Sequence, residues 1–389
     1  MKAHFATIII FTSIFLSGAT AQNFGERIDM GTIESDLITE ASGIAASRKN
    51  PGVFWTHNDS GGKNRIFAFN SKGKHLGTYT IAMIQNRDWE DIAVGPGPVE
   101  GEQYIYIADI GDNSIRYNVK YIYRIVEPCV SPHQTPIDTA LYGAEKLPFQ
   151  YVDGNHNAET LMIDPLTLDI FIASKENLTK VYGVPWPYDF YSAPTLNVDT
   201  LDIATGILFD TAVGGDISPD GREILIKKKN VIYYWQRDED QTVAEALKNP
   251  LFTFPYVKEP QGEAVCWAHD VSGYYTISEG LHPHLYFYPR LTNSVSSEAN
   301  HAINFSLSQN YPNPFNPATV IRYNIAEPER VTISVYNTLG RRVAVLLNAF
   351  QNRGAHSIIF NGENLPGGLY LYKIKCKNYS AVKKMLLIK

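Results

Sequence analysis

The segment Glu40-Ala-Ser-Gly-Ile-Ala-Ala-Ser47 is followed by the apolar run Gly52-Val-Phe-Trp-Thr-His-Asn-Asp59, and weaker copies of this pair recur along the chain. An acidic residue heads the first segment of each copy, and the later heads are Glu90, Glu159, Asp216 and Glu263. A second segment, rich in β-branched and aromatic residues, follows each head, as is typical of paired strands. These second segments are Tyr104–Asp109, Asp169–Lys175, Glu223–Lys227 and Gly273–Glu279. The sequence therefore predicts an all-β fold built from repeats.

The acidic heads are 50, 69, 57 and 47 residues apart, a spacing typical of a radial array of four-stranded sheets. We therefore predict a β-propeller over residues 22–292. The number of heads favours five blades, and the long interval from Glu159 to Asp216 leaves six as the alternative. The run Glu26–Glu34 is predicted to complete the last blade and close the ring. The strands predicted for the first blade are Ala41–Ala46, Val53–His57, Arg65–Asn70 and His75–Ile81.

Both ends of the chain carry further signals. Residues 1–21 have a basic start, an apolar middle and small residues at Ala19-Thr-Ala21, which predicts a signal peptide and export. No later apolar stretch reaches the roughly 20 residues that span a bilayer, so we expect no integral membrane segment after cleavage. The polar residues 293–304 predict a linker.

Residues 305–389 alternate apolar and polar positions in short runs, which predicts a small Ig-like β-sandwich. The predicted strands are Thr319–Asn324, Val331–Tyr336, Arg342–Leu347, His356–Phe360, Tyr370–Cys376 and Lys383–Ile388. From residue 301 onward the chain has 11 basic and 3 acidic residues, whereas residues 22–300 have 22 basic and 37 acidic residues. Such an acidic propeller repels nucleic acid, so we expect no nucleic-acid partner.

Four C-terminal segments follow one another in this order: Ser306–Pro317, Val331–Gly340, Gly368–Tyr370 and Lys384–Lys389. Together they closely resemble the type A sorting domain of the type IX secretion system. The resemblance implies an Ig-like domain that carries its cargo across the outer membrane of Bacteroidetes-type bacteria. It further implies export through the periplasm, secretion or display on the outer cell surface, and the type IX secretion machinery as a partner.

The N-terminal part resembles TolB-like or NHL-like propellers. The pieces Glu40-Ala-Ser-Gly43 and Gly262-Glu-Ala-Val265 are similar to strand starts in propellers of the calcium-dependent phytase and SdiA-regulated types.

If each head begins the innermost strand of its blade, the five acids converge at similar heights around the axis. Carboxylates so close to one another need protons, lysines or a cation to neutralise their repulsion. Calcium is the candidate cation because it takes many oxygen ligands. The alternative is that each acid accepts hydrogen bonds from amides of the neighbouring blade and binds no ligand. The predicted ligand-binding residues are Glu40, His57, Asp59, Glu90, Glu159, Lys175, Asp216, Lys227, Glu263 and Glu279.

A second candidate lies in the loop Asp109-Ile-Gly-Asp-Asn113. Asp109, Asp112 and Asn113 offer hard oxygen ligands around a glycine and are the predicted metal site, with calcium as the candidate ion. Trp55 and Trp89 are candidates for stacking on a sugar. The alternative for the loop is an ordinary Asx-rich turn.

These residues favour an exported protein that binds a glycan, peptide or small molecule at an acidic face. One alternative is a calcium-dependent hydrolase of a phosphoester or lactone, in which a metal-bound water attacks. A purely structural role at the cell surface is the third hypothesis. No residue is assigned a catalytic role.

Overall fold

The computed structural model describes residues 24–59, 61–188, 190, 195–201, 211–291, 306–310, 313–325, 328–351, 354–377 and 379–389. The chain divides into two compact units, Met1–Asn293 and Ser294–Lys389. The predicted signal peptide at 1–21 and the predicted linker at 293–304 lie outside the described residues.

The N-terminal unit begins with strand β1 (Ile28–Thr32), and five blades follow in chain order. Blade 1 has β2 (Ala41–Ala46), β3 (Val53–Asn58), β4 (Arg65–Asn70) and β5 (His75–Ile81). Blade 2 has β6 (Trp89–Pro96), β7 (Gln103–Asp109), β8 (Lys120–Val126) and, after the added strand β9 (Ile137–Leu141), β10 (Glu145–Tyr151). Blade 3 has β11 (Ala158–Ile163), β12 (Ile170–Ser174), β13 (Val181–Val184) and β14 (Leu196–Thr200).

Blade 4 has β15 (Gly214–Ile217), β16 (Glu223–Lys228), β17 (Val231–Gln236), the short helix α1 (Val243–Ala246) and β18 (Phe252–Phe254). Blade 5 has β19 (Gly262–Trp267), β20 (Gly273–Ser278) and β21 (His284–Pro289). Two outer strands add parallel pairings: β9 extends blade 1 beside β5, and β10 pairs with β14 so that blades 2 and 3 share one sheet.

The first strand of each blade lies in the innermost layer. β2, β6, β11, β15 and β19 each contact the next in chain order, and β19 contacts β2, so the ring closes. A small residue permits the close approach: a Cβ added to Gly43 would lie 2.7 Å from the amide nitrogen of Ile92. The described residues form five blades around one axis, which is a β-propeller and agrees with the predicted fold and the favoured blade number.

Five hydrophobic clusters hold the ring together, and each joins one blade to its neighbour. The cluster between blades 1 and 2 contains the fully buried Trp55 and Trp89. The cluster between blades 5 and 1 contains Ile44 and Cys266. Because no blade buries its apolar faces alone, the stability of each blade depends on the closed ring.

The N-terminal strand closes the last blade, as predicted. β1 pairs antiparallel with β21, from Ile28 opposite Phe287 to Thr32 opposite His284. The preceding Phe24 forms a bridge with Arg290. The N-terminus therefore supplies the fourth strand that β19, β20 and β21 lack.

The C-terminal unit consists of two antiparallel sheets. One contains β22 (Ser306–Leu307), β23 (Ala318–Ile325) and β26 (Gly354–Asn361). The other contains β24 (Glu329–Asn337), β25 (Arg342–Gln351), β27 (Gly368–Lys375) and β28 (Ser380–Leu387). Each predicted strand overlaps an observed one, and both sheets contribute to one core that includes Ile321 and Tyr372. This is the arrangement of a β-sandwich, and the Ig-like assignment stays a prediction.

Among the described residues, no helix has the length and the apolar character needed to cross a membrane.

We predict that Phe24→Ala weakens the closure of the ring. The buried Phe24 ring lies 4.2 Å from that of Phe254 and 5.3 Å from that of Tyr274. Its loss leaves a cavity between blades 4 and 5 and should lower the free energy of unfolding by about 3 kcal/mol in chemical denaturation. Met83→Ala, whose side chain is 98% exposed, should have no effect. An unchanged unfolding midpoint for Phe24→Ala would contradict this account of closure.

Candidate functional site

Three glutamates stand near the starts of inner strands, each at a β-bulge. Shifts in strand register make Glu90, Glu159 and Glu263 the extra residue at the start of β6, β11 and β19. A bulge re-aims the extra side chain relative to the regular alternation of a strand. The Glu90 carboxylate interacts electrostatically with Glu159, and Glu159 interacts with Glu263. The three blades thus bring their glutamates together at one end of the ring.

Blades 1 and 4 do not repeat this arrangement. The bulge of β2 lies between Ala41 and Ile44 and contains Ser42, whose hydroxyl donates to the carbonyl oxygen of Glu90 at 2.8 Å. β15 pairs with β16 without a register shift. Glu40 precedes β2 and is exposed, and Asp216 lies further along its strand. The prediction that five acids converge at one height is therefore wrong for Glu40 and Asp216.

Asp216 instead joins two blades. Its Oδ2 accepts a hydrogen bond from the amide of Trp267 at 2.8 Å, and the Arg48 guanidinium lies 3.7 Å away. Burial raises the pKa of Asp216 to about 6, and Arg48 partly opposes that rise. Asp91 has the same role between blades 2 and 3, because its Oδ2 accepts from the amide of Leu161 at 2.8 Å. Asp216 therefore fits the alternative hypothesis, in which the acid accepts a hydrogen bond from an amide of the neighbouring blade.

The three glutamates belong to a larger group of charges, which we call the mouth cluster. Lys175 contacts Glu159 directly and lies 3.9 Å from Glu263, and Lys229 lies 3.1 Å from Glu263. The mouth cluster consists of Asp59, Asp88, Glu90, Glu159, Glu263, Glu279, Lys175 and Lys229. Six of the residues that we predicted as ligand-binding are therefore brought together.

Burial and mutual repulsion shift the titration of this cluster. Burial raises the pKa of Glu90 well above its ordinary value, and the carboxylates of Glu159, Asp59 and Asp88 raise it further. Burial raises the pKa of Glu159 to about 8 although Lys175 opposes the rise. Burial, followed by the Glu263 carboxylate, raises the pKa of Glu279 to about 7. Near neutral pH the cluster therefore binds protons that a cation can replace.

Two carboxylates of the cluster lack hydrogen bonds that buried acids usually have. Glu90 is 2% exposed, and its carboxylate accepts no hydrogen bond from a residue that the structure describes. The Oε2 atom of Glu159 is likewise buried without a hydrogen-bond partner in the described part of the chain. The buried Oε2 of Glu159 costs free energy in this state, and both carboxylates have an oxygen left to receive a ligand.

His57 and Lys227, two predicted ligand-binding residues, lie in interfaces between blades. His57 is fully buried, its Nδ1 is 3.0 Å from the carbonyl oxygen of Asn58, and burial lowers its pKa to about 4. Lys227 is fully buried, donates to the carbonyl oxygen of Gly262 and lies 4.6 Å from the ring centre of Tyr256. Burial lowers the pKa of Lys227 to about 8. Neither side chain is exposed to solvent at the mouth.

The loop predicted as the metal site is held by the protein itself. Asp112 accepts hydrogen bonds from the amides of Arg116 and Tyr117 at 2.7 Å each, and from Lys120 at 2.9 Å. Asp109 accepts from the amide of Asp88 at 3.0 Å, and Asn113 accepts from the side chain of Asn157 at 3.2 Å. These contacts favour the alternative of an Asx-rich turn at Asp109, Asp112 and Asn113.

The expected sugar-stacking surface is wrong, because Trp55 and Trp89 are both 0% exposed. Sequence reasoning also missed Asp88 and Lys229. Asp88 stands two residues before Glu90, and its carboxylate oxygen lies within 4.8 Å of ligand atoms of Asp59 and Glu90. The sequence signal for Asp88 was the presence of a second acidic residue close to Glu90, the acid that heads the second repeat.

Two surface depressions adjoin the mouth cluster. One of about 550 Å³ is lined by Lys175 and four residues that follow it on blade 3. The other, of about 210 Å³, is lined by Asp88 together with Arg87 and the loop that contains Asp112. Both give a ligand access to side chains of the cluster.

Comparison with known proteins identifies the C-terminal unit. Residues 309–389 match the family described as the secretion system C-terminal sorting domain. This confirms the resemblance found in the sequence. The chain is therefore exported, and its location is the outer cell surface or the medium.

The β-propeller domain of Cps50 (Swd1) from Myceliophteria thermophila is a similar solved structure. It is 8% identical, the match covers 68% of this chain and 99% of that chain, and the TM-score is 0.35. The propeller assignment follows from the strand pairing. No curated protein sequence matches the chain.

We predict that Glu90→Gln stabilises the propeller at pH 8 in a chelating buffer. The raised pKa of Glu90 means that its stabilising contribution is present below its unfolded pKa and is lost as the pH rises through the folded pKa. Glutamine keeps the shape without the charge, so thermal melting should show its advantage growing between pH 5 and pH 8. Glu100→Gln, at an exposed position, should show no such trend. A lower melting temperature for Glu90→Gln at pH 8 would contradict the repulsion.

Proposed function

We propose that the exported propeller binds a positively charged ligand at the mouth cluster. The observation that supports this is the imbalance of charge: six carboxyl groups of the cluster accompany two lysines, and Glu90, Glu159 and Glu263 are buried. Bringing like charges together in a buried place costs free energy unless an opposite charge neutralises them. A ligand with an ammonium or guanidinium group removes that cost when it binds.

The chemistry favours a cationic peptide or a small amine over a neutral glycan. Carboxylates form strong, charge-assisted hydrogen bonds with ammonium and guanidinium groups. The tryptophans that would have stacked on a sugar are buried between blades. The acidic field of the propeller also attracts cations before contact and speeds their association.

The sorting domain supplies the place where this binding occurs. Residues 309–389 match a secretion sorting domain, so the mouth cluster meets ligands outside the cell. The alternative of a calcium-dependent phosphoester or lactone hydrolase stays a prediction, since no contact among the described residues assigns it a catalytic group.

A lysine-rich peptide and a glutamate-rich peptide of equal length test the proposed function. Isothermal titration in buffer with EDTA should show binding of the lysine-rich peptide alone. The double substitution Glu159→Gln with Glu263→Gln should weaken that binding by about tenfold or more, since each charged contact contributes roughly 1.5–3 kcal/mol. Asp138→Asn, an exposed acid on β9, should bind as the wild type does. Equal binding of both peptides, or full binding by the double variant, would refute the proposal.

Removal of residues 305–389 tests the export step. Without the sorting domain the chain should accumulate in the periplasm and be missing from the medium and the cell surface. Cell fractionation with an antibody against the propeller measures this distribution. Normal export of the shortened chain would contradict the assigned route.

A further inference from the structure

One corner of the mouth cluster has the geometry of a metal site. Asp59, Asp88 and Glu90 each offer a carboxylate oxygen, and these oxygens all lie within 4.8 Å of one another. Asp88 and Glu90 come from the start of blade 2, and Asp59 follows the second strand of blade 1. The two adjoining blades of the closed ring therefore supply the three oxygens.

Gly111 makes room for this group. Its amide donates to the carbonyl oxygen of Asp88 at 3.1 Å, which holds the loop after β7 against the start of β6. A Cβ at Gly111 would overlap Glu90 Oε1 and lie 2.5 Å from Asp88 Oδ2. Any other residue would therefore push the two carboxylates away from their present positions, so the loop is shaped to keep them side by side.

The Glu90 carboxylate is the second, independent indication of a ligand. It is 2% exposed and accepts no hydrogen bond from the described residues, although buried carboxylates are usually hydrogen-bonded. Lys175 acts on Glu90 only at a distance, since its direct contacts are with Glu159 and Glu263. The oxygens of Glu90 are therefore available to an ion beside Asp59 and Asp88.

We infer that Asp59, Asp88 and Glu90 bind a calcium ion at the mouth of the propeller, an inference that rests on the proposed attraction of positive charge to this cluster. The three groups form an all-oxygen donor set, which suits a hard divalent cation. Calcium accepts about six to eight oxygens in flexible geometry, whereas magnesium demands a near-ideal octahedron, so carboxylates held by two different blades favour calcium. Asp59 is only half-buried, which leaves positions for water or for an oxygen of a second ligand.

Calcium titration of the full exported chain, without any peptide, tests this site. Calorimetry should show saturable binding of calcium, and thermal melting should show stabilisation that rises with its concentration. Asp59→Asn and Glu90→Gln should each weaken binding by at least about tenfold, because even partners outside the ligand shell contribute that much. Asp138→Asn removes the same charge from an exposed position on β9 and should bind calcium as the wild type does.

Three results would overturn the inference. They are an absence of calcium binding in the wild type, unchanged binding in both Asp59→Asn and Glu90→Gln, and binding that only Asp112→Asn removes. Glu90→Gln keeps the volume of the side chain and removes a repelled charge, so the loss of binding is separable from loss of the fold. Peptide binding in EDTA is measured independently of calcium binding, so failure of the metal site and failure of the proposed function give different results in the two titrations.

Discussion

Contacts between neighbouring inner strands close the ring and hold the blades of the propeller together. Five short strands of small and apolar residues converge on one axis, and the hydrophobic clusters between blades stabilise this arrangement only while the ring is closed. Convergence also brings the starts of the strands to one end of the axis. Acidic residues that are 50 or more residues apart in the chain thereby become close neighbours, and their repulsion is a consequence of the fold.

The register of each inner strand decides what an acid at its start does. In β6, β11 and β19 a bulge holds the glutamate at the mouth, where it meets other carboxylates. β15 has no bulge, and there Asp216 accepts a hydrogen bond from an amide of blade 5, which stabilises the ring. Acids that look alike in the sequence thus lie either at the mouth or between two blades.

Much of the fold could be predicted because strand periodicity is a local property. The four strands predicted for blade 1 agree with β2 to β5 within one residue, and the pairing of β1 with β21 follows from a missing strand in the last blade. The site was less predictable, because a bulge depends on the partner strand. For this reason Glu40 was predicted at the mouth, although the bulge of β2 begins two residues later, at Ser42. Asp88 was missed because it becomes a neighbour of Asp59 only after the blades pack.

The mouth cluster has six carboxyl groups and two lysines, so a cation that replaces its protons should bind there. Anomalous diffraction from crystals of the chain grown with terbium, a calcium substitute with strong anomalous scattering, locates such an ion. A peak is expected within about 2.3–2.6 Å of carboxylate oxygens of Asp59, Asp88 and Glu90. Electron density that shows these carboxylates pointing away from one another, or a fully occupied ion elsewhere and none at the mouth, would contradict it.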